Sequence, residues 1–282
     1  MNKFYIQIVF FLLSVFLHVN NKILATEPTS KKATPSKTND SCLTPEEVYE
    51  KNKHLLCTNP KEAKEAHKLM DEAIKHLEQH ATNTDGYIFC RTDSSLNVLL
   101  YKKKHEEKTD IEKIHYAIYD ANQYDELINE IWDPNHPNPF NKGTVKIARV
   151  YDPSLVIIQQ RYKKKIGSPQ KYFYALVKKT QVSEDTTVIV MSSADINDHN
   201  PSAKEYKNKI IENANLFKTE IDSEDDIRKG KLEKTVVNLA GYIIRRCDTS
   251  VNVTYVESID GHANIYQEPI VGKYFDYYFL RR

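Results

Sequence analysis

Two period-two runs joined by a tight turn, within the stretch from Leu239 to Gln267 (LAGYIIRRCDTSVNVTYVESIDGHANIYQ), constrain this chain more than any other part of it. Val251, Val253 and Tyr255 alternate with Asn252 and Thr254, so one row of side chains meets an apolar layer and the other meets water. Asp260-Gly261 ends the run in turn chemistry. Beyond it Pro269 suits the first turn of a helix, and Ile270, Val271, Tyr274, Phe275, Tyr278 and Phe279 recur at helical spacing. Two long strands feeding an aromatic terminal helix predict a concave sheet closed by that helix, which is a container.

The amino terminus speaks to compartment. Lys3 precedes an apolar run from Phe4 to Val19, short for a membrane span and of the length of a secretory signal, with cleavage expected near Ala25 and a retained signal anchor as the alternative. Residues 26 to 41 are Thr, Ser, Lys, Pro and Asn with almost nothing to bury, and read with residues 42 to 58 as a linker and short helix. Residues 59 to 282 then suffice for one domain. With 40 basic against 39 acidic residues, the chain lacks the positive field that nucleic-acid binding relies on.

Along the domain, Asn59-Pro60-Lys61-Glu62 offers a helix cap, a proline at the first helical position and a glutamate able to reach back. Ala63, Ala66, Met70, Ala73 and Leu77 form an apolar stripe after it. After Asp85-Gly86 come three expected strands, 87–91, 96–104 and 111–119. A helix over Tyr124 to Trp132 is stopped by Asp133-Pro134, because a residue before proline leaves helical geometry. Strands are expected over 144–151, 155–165, 171–182 and 186–193. A charged insertion from Asn197 to Gly230, with a helix near 203–216, precedes the final strands.

Cys42, Cys57, Cys90 and Cys247 permit two disulfides in an oxidising route. A straight helix over Pro45 to Leu56 would hold Cys42 and Cys57 roughly 18 Å apart, against about 7 Å for bridged alpha carbons, so connectivity stays open, as does the alternative of free thiols. No nucleophile elbow, zinc-protease motif, P-loop or glycine-rich dinucleotide turn occurs, and no enzyme activity or cofactor is expected. His76 and His80 are one helical turn apart, but no third metal ligand is evident.

The order helix, three strands, helix, several strands, terminal helix is the helix-grip order. With Ile131-Trp132-Asp133, the strand from Lys171 to Val177, Gly241-Tyr242-Ile243-Ile244 and the turn from Tyr255 to Gly261, the chain resembles the START lipid-transfer family. Asn20-Asn21-Lys22 after the signal, the segment from Pro45 to Cys57 and the run from Tyr255 to Ala263 look like the Plasmodium fam-a family. That resemblance implies an α+β fold in which a curved antiparallel sheet and a carboxy-terminal helix enclose a tunnel for one lipid, phosphatidylcholine in fam-a relatives, carried without covalent chemistry.

In phosphatidylcholine-binding START proteins an arginine stands three positions before the Trp-Asp pair, and here that position is Asn129. Asp133 matches the family aspartate, which would face the choline cation or an internal basic partner. Arg149 is a substitute for the phosphate contact if it shares a face with Val145, Ile147 and Tyr151; the plainer alternative is pairing with a protein carboxylate. Tyr174, Tyr242 and, on the terminal helix, Tyr274 complete the candidate lipid-binding residues, although such tyrosines serve equally as core, and no cation box is assigned. The expected protein is a secreted monomer that meets phospholipid and, through Lys102-Lys103-Lys104 and Lys163-Lys164-Lys165-Ile166, transiently meets anionic membrane surfaces. Lys22 to Glu27 approximates an export signal, which points to the parasitophorous vacuole or host erythrocyte. The rival reading is a START-like scaffold that binds a host protein through the charged insertion.

Overall fold

The computed structural model describes residues 42–93, 98–106, 109–136, 143–202 and 204–261. The chain divides after Ser41 into two units, of which the second carries every element described. The expected signal segment, the terminal helix after Pro269 and Tyr274 lie outside the described residues.

Helix α1 (Pro45–Asn52) starts at a capping box in which Thr44 accepts from the Glu47 amide and Glu47 accepts from the Thr44 amide. The helix does not run on to Leu56 as expected. It tightens into a 3-10 turn over Lys53–Leu55, after which the Cys57 amide bonds the Val150 carbonyl at 2.7 Å and pulls the chain extended against the sheet. Helix α2 (Pro60–Thr82) is capped by Asn59, whose side chain accepts from the Lys61 and Glu62 amides. Its stripe of Ala66, Met70, Ala73, Ile74 and Leu77 is buried.

Ten described strands form one large curved sheet. The strands β1 (Ile88–Asp93), β2 (Val98–Glu106), β3 (Thr109–Ile118), β4 (Gly143–Asp152), β5 (Leu155–Tyr162), β6 (Gln170–Ser183) and β7 (Thr186–Ser192) precede the insertion. Short β8 (Asp195–Asn197) and β9 (Lys218–Glu220) pair with each other, and β10 (Leu232–Lys234) runs parallel to the start of β6. The long hairpin β11 (Val236–Arg246) and β12 (Val251–Asp260) closes the order β1-β2-β3-β12-β11-β7-β6-β5-β4, antiparallel at every step. Helix α3 (Tyr124–Trp132) lies between β3 and β4 and ends where Asp133-Pro134 requires. Among the described residues the architecture is the expected α+β class, a large antiparallel sheet with helices packed on it; the closing terminal helix of the helix-grip expectation lies outside them.

Each long strand places alternate residues in two separate cores. On β6, Phe173, Ala175 and Val177 join α3 and Val48 of α1 in one layer, while Tyr172, Tyr174 and Leu176 join α2 in the other. The insertion belongs to the α2 layer. Among its described residues no helix spans 203–216; the segment holds a 3-10 turn at Glu212–Asn215 and a single-turn α4 (Asp225–Arg228). Ile210, Ile211, Phe217, Ile221 and Ile227 are buried there. Asn208 makes the extended path possible, donating to Ser192, Ser193 and Asn238 and accepting from the Ile210 and Ile211 amides. A side chain that satisfies five backbone and hydroxyl partners replaces the hydrogen bonds a helix would have supplied.

Candidate ligand site

The end of α3 organises the α3 face. Asp133 is 7% exposed; its Oδ1 accepts from the amide and side chain of Asn135 at 2.9 and 3.0 Å, and its Oδ2 accepts from the Leu43 amide at 3.1 Å. The expected confrontation with a cation is therefore corrected: this carboxylate holds backbone, pinning the start of the domain to the helix end. No ion pair reaches it among the described residues.

Beside Asp133 lies a cavity of about 60 Å³ walled by Ile147, Val156, Ile158, Val177, Ile189 and Met191 and reached by Trp132 and Gln160. Trp132 Nε1 and Gln160 Nε2 are both buried without a hydrogen-bond acceptor among the described residues. Burying an N–H without a partner costs about 1–3 kcal/mol, so two in one apolar hollow need an explanation. The signal in the sequence was Gln159-Gln160, which interrupts the apolar run of β5 on both faces; Gln159 turns to Tyr174 and Glu224 on the α2 side.

The same face carries an aromatic group that no sequence pattern assembles. Tyr242 and Tyr255 are directly opposite on β11 and β12, with ring centroids 4.6 Å apart, and Tyr162 packs on Phe173 at 5.9 Å. The Tyr255 hydroxyl donates to Glu257 Oε2 at 2.6 Å. Burial raises the hydroxyl pKa values of Tyr162 and Tyr255 well above the phenolic range, and the Glu257 carboxylate adds to both. The Tyr162 and Tyr255 hydroxyls therefore stay protonated on this face, beside the buried Glu257 carboxyl group.

Arg149 and Tyr174 are on the opposite layer and do not share this site. A bulge in β4 between Ile147 and Arg149 shifts the register, so Ile147 stays on the α3 face while Arg149 turns to α2. Its Nη1 donates to Glu62 Oε1 at 2.6 Å and to Thr219, and its Nη2 donates to the Glu220 carbonyl at 2.7 Å. The phosphate role is thus corrected in favour of a protein carboxylate. Glu62 serves this pair, not the cap it was expected to complete. Tyr174 bonds Gln159 on the same layer.

Two larger hollows, about 570 and 520 Å³, flank the α2 layer. Glu62, Arg149 and Asp222 line one, and Asp198, Lys204 and Lys234 the other, which is the wrong chemistry for an acyl chain. His80 bonds the Tyr87 hydroxyl at 3.1 Å and His76 faces Glu72 at 3.9 Å, so the two do not converge on a metal. No disulfide joins Cys42, Cys57, Cys90 or Cys247 to another cysteine among the described residues.

No protein-family model and no curated protein matches the chain. Among solved structures, human STARD10 is similar over 74% of this chain and 74% of its own, with 13% identity and a TM-score of 0.48. Human StAR-related lipid transfer protein 5 is similar over 75% of this chain and 89% of its own, with 13% identity and a TM-score of 0.49. A STAR-related lipid transfer protein from Xanthomonas axonopodis covers 68% of this chain and 92% of its own, with 8% identity and a TM-score of 0.41. At these scores the likeness is no guide to activity, which rests on the chain's own residues.

Proposed function

We propose that this protein is a secreted, monomeric, non-enzymatic carrier of a phospholipid, phosphatidylcholine first among candidates. One observation supports the reading above others: an aliphatic hollow in which two buried N–H donors, Trp132 Nε1 and Gln160 Nε2, lack acceptors among the described residues. Ester carbonyl or phosphate oxygens answer such donors, and methylenes answer the walls. The rings of Tyr162, Tyr242 and Tyr255 with Glu257 suit a cationic head group on the same face. At about 60 Å³ the hollow is below the roughly 300–1,000 Å³ of ligand pockets, so loading requires the face to open. Resealing then keeps each methylene out of water, worth about 0.8 kcal/mol.

Delivery has its own support. Lys163, Lys164 and Lys165 are exposed between β5 and β6, and Ile166 beside them is fully exposed. Cationic side chains around an apolar tip suit docking on anionic bilayers. In the other basic run, Lys102 pairs with Asp110 at 2.6 Å and Lys103 bonds the Asp85 carbonyl. The fam-a resemblance extends the proposal to a parasite protein acting in the vacuole or host erythrocyte, which imaging of a tagged chain tests.

Native mass spectrometry of the full chain, joined to transfer of labelled phospholipids between vesicles, tests the carrier. Co-purifying phospholipid and faster transfer of phosphatidylcholine than of other head groups are expected. Gln160→Leu, which removes one stranded donor, should stabilise the empty protein by about 1 kcal/mol while lowering lipid retention about tenfold. A consistently empty protein that transfers no lipid would overturn the reading.

A further inference from the structure

We propose that Cys42, Glu130 and His136 form a binding site for a zinc-class divalent cation. The three come from separate places: the start of the domain, the last turn of α3, and the turn after it. One thiol sulfur, one carboxylate oxygen and one imidazole nitrogen lie within 4.8 Å of one another, with Cys42 Sγ 3.1 Å from His136 Nδ1. A tetrahedral zinc ion, with bonds of about 2.3 Å to sulfur and about 2.0–2.2 Å to nitrogen and oxygen, holds its ligands roughly 3.5 Å apart. Small side-chain rotations therefore bring the donors to coordination distance.

The donor set selects the cation. Thiolate with imidazole favours zinc over magnesium or calcium, which seek oxygen alone. Glu130 is 9% exposed, so its carboxyl group is held out of bulk water beside the thiol and the imidazole. Three protein ligands leave one tetrahedral position for water.

The support of the site is built from one residue. Asp133 Oδ2 fixes the Leu43 amide and thereby places Cys42, while the Asp133 carbonyl accepts from the His136 amide at 3.0 Å. Asp133 is a positioning residue for both outer ligands. Nothing in the spacing 42, 130, 136 resembles a metal motif, which is why the sequence was silent.

The test uses the full chain, reduced and stripped of metal, titrated with zinc chloride against a chromophoric chelator. Cysteine alkylation by N-ethylmaleimide is followed by peptide mass spectrometry. One zinc per chain is expected, with Cys42 alkylation slowed at least about tenfold by zinc and restored by EDTA, and with Cys57, Cys90 and Cys247 unaffected. Cys42→Ser and His136→Gln should each weaken zinc about 100-fold, and Asp133→Ala about tenfold with stoichiometry kept. Equal alkylation of Cys42 with and without zinc, or unchanged binding by Cys42→Ser, would overturn the site. Where a variant does not fold, X-ray absorption of the wild-type zinc form decides: one sulfur at about 2.3 Å supports the site, and a sphere without sulfur sinks it.

Discussion

Arg149 shows how little a residue's type says before its neighbours are known. Burial alone would raise the Glu62 carboxyl, but hydrogen bonds from Tyr151, Thr219 and Arg149 outweigh it and hold the group below its usual range. Its folded value is depressed, so its stabilising effect is present above the unfolded carboxylate range and fades as pH falls through the folded value. Arg149→Ala should cost about 2 kcal/mol in urea unfolding at pH 7, because it removes the counter-charge and a charge-assisted hydrogen bond from a partly buried carboxylate. Head-group preference in vesicle transfer should not move, and a changed preference would restore the phosphate role. Two histidines act with the opposite charge. Burial, then Lys103, brings His80 down to about 4, and burial, then Lys113, does the same to His115. Both stay neutral in the fold where the unfolded chain, near pH 6.5, takes protons. Stability should therefore fall as pH drops from about 6.5 towards 4, each group adding up to about 1.4 kcal/mol per pH unit. A His80→Gln, His115→Gln double variant should flatten that slope in urea midpoints at pH 7, 6 and 5; an undiminished slope would assign it elsewhere.

At the scale of elements, the approach of α2 to the sheet rests on what is absent at Gly241. A Cβ there would lie 2.4 Å from the Ile189 carbonyl oxygen and 2.8 Å from Leu77 Cδ2. Backbone on one side and a buried helix stripe on the other leave no room to yield, so Gly241→Ala should destabilise by about 1–3 kcal/mol. Equilibrium urea unfolding measures it, and a neutral result would mean that α2 shifts freely on the sheet. The β4 bulge works at the same scale. One extra residue rotates Arg149 from the layer that strict alternation assigned to it, and with it the arginine expected to meet the ligand.

Across the whole domain, the sheet has two faces with two duties. The α2 face is closed by a helix and by the insertion, whose buried isoleucines leave it structural; replacing residues 198–230 with a short linker should expose Ile196, Tyr172 and Leu232 and yield aggregated protein. A soluble, cooperatively unfolding deletion would show that the fold does not need the insertion and favour its use as a surface for a host protein. The α3 face holds the aliphatic hollow, the tyrosine group and the Cys42–His136 contact. Pattern alone determined the elements: helix Tyr124 to Trp132, most strand limits and the closing hairpin were legible because periodicity and proline or glycine breaks are local properties of the chain. The insertion was misread because its polar surface concealed isoleucines that bury only against a distant sheet. Tertiary structure alone decided which side chains meet. Glu62 finds Arg149, Gln160 is left facing Trp132, and Cys42 reaches His136 through contacts between residues far apart in sequence, whose geometry depends on register, bulges and helix packing that no local pattern encodes.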